Sequence, residues 1–124
     1  MRTPSFGWAC VVGATLWLAQ GVAAAPAFAG AEEGRPIYVA KCQACHGPTG
    51  RGDGPAARAL PKAPRDFTDP NFWAQTTDDA VKSVVRQGLP GTIMRGFPMP
   101  DDQASNLLAY LKSFAEQPKP TPTP

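Results

Sequence analysis

Cys42-Gln43-Ala44-Cys45-His46 decides how the rest of this 124-residue chain is read. Two thiols three positions apart, with an imidazole directly after the second, is the spacing for covalent attachment of a c-type haem. Each thiol can add across one vinyl group of the porphyrin, so that two thioethers tether the ring at two edges. The next residue then lies beneath the iron, where a neutral imidazole nitrogen is a strong axial ligand. His46 is the only histidine in the chain, so no second imidazole competes for that position.

Two other uses of Cys-x-x-Cys compete with this reading. A zinc cage needs four ligands, and the chain offers three cysteines and one histidine, with Cys10 set far from the rest. A thioredoxin-like redox pair sits between a strand and a helix, and no strand pattern surrounds Cys42. Haem c, one per chain and bound through Cys42 and Cys45, is the cofactor expected.

Other positions carry a resemblance. Gly34 and Tyr38 lie four apart, and Tyr38 lies four before Cys42. Leu107 and Tyr110 lie three apart near the other end, and Gly91-Thr92-Ile93-Met94 comes between. These resemble the N-terminal helix, the C-terminal helix and the Gly-Thr-x-Met segment of class I cytochromes c, over roughly Gly34 to Phe114. Gly50 to Ala57 and Arg65 to Asp69 are similar to a bacterial exported subgroup of small monohaem members. The resemblance implies an all-α fold of about three main helices, with loops wrapped around one covalently bound haem.

It also implies a methionine on the far side of the iron. Met94 stands in Gly-Thr-x-Met, 16 residues before Tyr110, a usual family distance. Met99 has a Pro-Met-Pro setting but lies only 11 residues before Tyr110, leaving little chain to reach over the haem. Met94 is therefore the expected ligand and Met99 the alternative, with gap-filling as the role left to the other. A thioether is a soft ligand that raises the reduction potential.

Three further residues enter through the same resemblance. A Gly-Pro pair after the haem motif supplies a carbonyl to the histidine Nδ1–H; Gly54-Pro55 is the best match and Pro48 the second, against the plain reading of a turn proline. An indole or guanidinium from the middle of the fold holds a haem propionate. Trp73 and Arg65 are the candidates, against simple burial of Trp73 and solvation of Arg65.

Taken in order, the chain begins as an export leader over residues 1–29. Met1-Arg2 is positive, Phe6 to Ala19 is largely apolar, and Ala27-Phe28-Ala29 is a small-x-small cleavage pattern. An uncleaved anchor is the competing reading, since Phe6 to Ala29 nearly suffices to cross a bilayer. Export to the periplasm accords with haem attachment outside the inner membrane. Residues 30–116 form the domain, and 117–124 a Pro-rich extended tail.

Within the domain a first helix is expected over about Arg35 to Gln43, with Pro36 in its first turn. Four glycines and two prolines between Gly47 and Leu60 read as a loop, and Pro61 to Gln75 as irregular chain. Thr77 or Thr76 caps a helix over Asp78 to Gln87 that ends at Gly88. Asp101 caps the last helix, Asp102 to Ala115, whose apolar face is Leu107, Leu108, Leu111 and Phe114.

Twelve basic residues against ten acidic ones indicate no nucleic-acid footprint. Charge is unevenly spread, however. Arg35, Lys41, Arg51, Arg58, Lys62 and Arg65 face Asp53 alone in the motif half, whereas four basic and seven acidic residues follow from Asp66 to Glu116. A basic face beside the haem suits weak docking onto an acidic redox partner, with a merely solvated surface as the alternative.

The function expected is one-electron transfer by a periplasmic carrier, not enzymatic catalysis, with no stable membrane insertion after leader cleavage. A haem subunit held to a dehydrogenase, oxidase or reductase is the alternative. A gas-binding or peroxidase-like protein needs an open iron position, which a methionine ligand closes.

Overall fold

The computed structural model describes residues 29–117. Helix α1 spans Ala29–Lys41 and is followed, after Cys42, by the single turn α2, Gln43–His46. A 3₁₀ turn covers Ala57–Ala59. Helices α3 (Pro70–Gln75), α4 (Asp78–Gln87) and α5 (Asp101–Glu116) complete the order. Among the described residues the only β pairing is an isolated antiparallel bridge between Gly88 and Arg95. The fold is all-α, with α1, α4 and α5 as its three main helices. None of the described helices is long and apolar enough to cross a membrane. The expected leader and tail lie outside the described residues, apart from Ala29 and Gln117 at their inner edges.

Helix α1 begins at Ala29 rather than Arg35, which leaves Pro36 inside it. A proline there removes the bond to the carbonyl of Glu32. Both residues are exposed, so water can serve that carbonyl. The reason for the longer helix is its contact with α5. A methyl group on Gly34 would fall against the carbonyl of Asn106 and the Cα of Leu107, so only glycine allows the two backbones this close. Tyr38 and Leu107, the two most completely buried large side chains, lie at this crossing. The Tyr38 ring stands 5.3 Å from Tyr110 and 5.2 Å from Phe114. Val81 and Val85 of α4 join Leu108, Leu111 and Phe114 in the same core.

Helix α4 matches its expected bounds because both of its stops are local. Thr77 Oγ1 accepts the N–H of Ala80 at 3.2 Å. Gly88, at φ 85°, closes the helix in the left-handed region that side chains avoid. Two other expectations are corrected. Pro70 does not keep its segment irregular; it opens α3 at the first turn, with Asp69 accepting the N–H of Asn71 at 2.9 Å as the cap. Asp101 is the first residue of α5 rather than its cap, and its carboxylate turns to Arg86 and Lys82 instead.

Candidate haem-attachment site

The site is a continuation of α1. Cys42 N–H bonds the carbonyl of Tyr38 at 2.8 Å, and the carbonyl of Cys42 receives the N–H groups of Cys45 at 3.2 Å and His46 at 2.9 Å. One helical turn therefore sets both thiols and the imidazole.

A one-turn helix leaves all its carbonyls without helical partners, and here the following loop supplies them. Gly47 N–H bonds Gln43 O at 2.8 Å, Ala56 bonds Ala44 O at 2.9 Å, Gly54 bonds Cys45 O at 3.1 Å, and Gly52 bonds His46 O at 2.8 Å. The glycine-rich loop is thus the cap of α2. Tyr38 fastens it to the core by donating its hydroxyl to Gly47 O at 2.6 Å. Burial pushes the Tyr38 hydroxyl well above its ordinary range, so it remains a donor.

His46 is buried, 9% exposed. Its Nδ1 lies 3.2 Å from the carbonyl oxygen of Arg65. A carbonyl only accepts, so the ring proton sits on Nδ1 and Nε2 keeps its lone pair. Burial lowers the pKa of His46, against an opposing pull from the Arg65 carbonyl, which favours the neutral, ligating form. The ring is stacked on Phe67, centroids 4.6 Å apart and planes 20° from parallel.

Cys42 and Cys45 are both half-buried and unpaired. Burial pushes the Cys42 thiol up to about 11, with Lys41 pulling it down and Cys45 adding to the rise. A redox-active Cys-x-x-Cys has the opposite signature, a lowered thiol pKa. Among the described residues no group of three His, Cys, Asp or Glu side chains is placed to hold a metal ion.

The other expected residues fall out as follows. The carbonyl on His46 Nδ1 is that of Arg65, not that of Pro55 or Pro48; Pro55 is exposed and belongs to the loop that caps α2. The Arg65 guanidinium lies over the Phe72 ring, 5.1 Å from its centroid. Trp73 gives its indole N–H to the carbonyl of Phe67 at 2.8 Å, so the donor expected on a propionate is already engaged. What sequence reasoning missed is the chain of Arg65 carbonyl and Phe67 ring. A backbone acceptor has no residue signature, and nothing in the sequence around Phe67 marks it as a neighbour of the imidazole.

Met94 and Met99 sit in the loop from Leu89 to Pro100. Met94 is half-buried in a tight turn, its N–H on Thr92 Oγ1 at 3.1 Å and its carbonyl taking the N–H of Leu89 at 3.0 Å. Met99 is half-buried against the hydrophobic core, a contact Met94 does not share. The loop lies beside the motif, since Lys41 Nζ stands 5.6 Å from the Phe97 centroid. Leu89 and Ile93 are left 42% and 64% exposed on it.

These residues fit a haem. Two free thiols share one turn, an imidazole has its Nδ1 proton engaged and its Nε2 available, and large apolar side chains of a neighbouring loop are uncovered.

Comparison with known proteins agrees. The family described as Cytochrome c matches residues 31–115. No curated protein matches the chain. Among solved structures it is similar to a chain of the reducing HAO-like protein complex of Kuenenia stuttgartiensis, with a TM-score of 0.58 and 29% identity. The match covers 74% of this chain and 47% of that one, so the chain corresponds to about half of that relative.

Proposed function

The chain belongs to the cytochrome c family, and on that premise we propose that it is an exported one-electron carrier with a single haem c. Cys42 and Cys45 would hold the porphyrin through thioethers, with His46 and Met94 as axial ligands. The haem, when bound, supplies reversible one-electron chemistry at iron. The chain's own residues set the conditions for it. The Arg65 carbonyl keeps the Nδ1 proton in place and raises the basicity of His46 toward the metal. Phe67 covers the imidazole face, and the α2 cap holds both thiols on one rigid turn.

The observation that carries this reading is the single turn Cys42–His46 with its Nδ1 bond to Arg65. Met94 is favoured over Met99 because the Met99 side chain is engaged with the core. The leader over residues 1–29 supports a periplasmic location. Among the described residues, none of the six basic side chains from Arg35 to Arg65 pairs with a carboxylate, whereas every ion pair lies between Asp78 and Lys112. Unneutralised cations beside the motif suit salt-sensitive docking onto an acidic redox partner.

A second reading, a haem subunit of a larger redox complex, is favoured by the similarity to a chain within the HAO-like complex. Stable co-purification with a partner separates it from the free carrier.

The test is the covalent bond itself. Protein exported in a host able to attach haem, then extracted with acidified organic solvent, should keep its pigment on the polypeptide. Pigment that leaves into the solvent overturns the assignment.

A further inference from the structure

His46 is held from behind by a short strap, Arg65 to Thr68, that crosses the imidazole with both backbone and side chain. The Arg65 carbonyl meets Nδ1 at 3.2 Å, and the Phe67 ring is stacked on the imidazole at 4.6 Å. What holds the strap is therefore what fixes the ring.

Three bonds do so. The N–H of Phe67 bonds the carbonyl of Gly50 at 2.7 Å, tying the strap to the loop that caps α2. Asp66 bonds the N–H of Thr68 at 2.8 Å and its hydroxyl at 2.7 Å, which sets the bend in the strap itself. The third is the indole of Trp73, whose Nε1–H meets the Phe67 carbonyl at 2.8 Å. Among the described residues it is the one hydrogen bond that anchors the strap to a helix outside the motif and its loop. The Trp73 ring also lies 6.2 Å from Phe67 and 4.9 Å from Phe72, and Phe72 in turn lies under the Arg65 guanidinium.

We propose that Trp73 is a positioning residue for the axial imidazole. Its indole N–H clamps the Phe67 carbonyl, and so holds the Arg65 carbonyl and the Phe67 ring against His46. This goes beyond the proposed haem ligation and rests on it. A firm Nδ1–H···O bond makes the imidazole a stronger donor and favours ferric iron, so loosening the clamp raises the reduction potential. Outer partners of this kind act through the ligand they orient, not by touching the reacting atoms.

The test is Trp73→Phe in the haem-loaded protein, which keeps an aromatic ring and removes the donor together with part of the indole's volume. In the reduced state, the His46 Nδ1–H should exchange with solvent about tenfold faster, the factor that corresponds to losing one hydrogen bond of about 1.4 kcal/mol from the strap. The midpoint potential should rise while the absorption bands of the iron and its ligands are retained. A tryptophan that merely fills space would lower stability and leave both readings alone. A folded, haem-loaded variant with unchanged exchange and unchanged potential overturns the proposal.

Should that variant fail to accumulate, the wild-type protein decides the matter. The Trp73 indole N–H and the His46 Nδ1–H should then be equally protected, because one opening of the strap exposes both. An indole proton more than about tenfold less protected than Nδ1–H overturns the clamp. Wild-type protein lacking covalent haem ends the functional reading instead, so the two failures are distinct.

Discussion

Tyr38 donates its hydroxyl to the carbonyl of Gly47 across 2.6 Å, joining the buried face of α1 to the residue that follows His46, the proposed haem ligand. The bond runs between fully enclosed partners, since Tyr38 is 0% exposed and Gly47 is buried. Through it the helix crossing and the attachment turn are one rigid unit. Tyrosine is needed there for its oxygen as much as for its ring.

Tyr38→Phe keeps the aromatic contacts and strands the Gly47 carbonyl. The expected loss is about 1–3 kcal/mol, the cost of a buried acceptor without a partner. Denaturant unfolding of the haem-loaded protein measures it, with the visible spectrum unchanged. A midpoint equal to wild type would show that the bond contributes nothing.

Gly34→Ala places a methyl group against the backbone of Asn106 and Leu107. Because both neighbours are main chain, neither can rotate away, and α1 must move off α5. Overpacking of this kind costs about 1–3 kcal/mol. The same unfolding measurement on Gly34→Ala tests whether the two backbones are as close as described.

Met94→Ala should abolish the thioether–iron absorption band of the oxidised protein and let the reduced protein bind carbon monoxide at neutral pH. Met99→Ala should retain the band and cost about 1–2 kcal/mol of stability, less than a fully buried methionine would. Loss of the band in Met99→Ala alone reverses the assignment.

Asp101 ties the start of α5 to the end of α4 across the neck of the methionine loop. Its carboxylate meets Arg86 at 2.5 Å and Lys82 at 3.5 Å. The hydrogen bond from Arg86, helped by the charge of Lys82, holds the Asp101 carboxyl below its ordinary value. A depressed carboxylate contributes stability above its unfolded pKa of about 3.9 and loses it as pH falls through the lower folded value. Asp101→Asn should therefore be less stable than wild type at neutral pH, and the gap should close on acidification below about pH 4. Added salt should shrink the gap as well, since Asp101 is exposed. Parallel unfolding curves for the two proteins at every pH would refute the ion pair.

Some of this was open to reading from residues alone. Helix α4 declared itself through Thr77 and Gly88, because caps act within one turn and each has a residue preference. The attachment turn was legible because covalent chemistry demands two thiols and an imidazole at one spacing. The pairing of the first and last helices came from the family resemblance of Gly34, Tyr38, Leu107 and Tyr110, not from the residues alone. Proline misled in both directions. Pro36 suggested a helix start and proved to lie inside α1 on its exposed side, whereas Pro70 suggested irregular chain and proved to open α3 behind the cap of Asp69.

By itself, then, the sequence determined which groups stand ready for haem attachment and at what spacing, since thiol and imidazole are properties of residue type. Only the tertiary structure decided who stands behind His46. Every residue carries a carbonyl, so nothing in the chain's lettering singles out that of Arg65. Its selection depends on the strap being brought to the imidazole by the Gly50 carbonyl, the Asp66 turn and the Trp73 indole, contacts that exist only once distant segments meet.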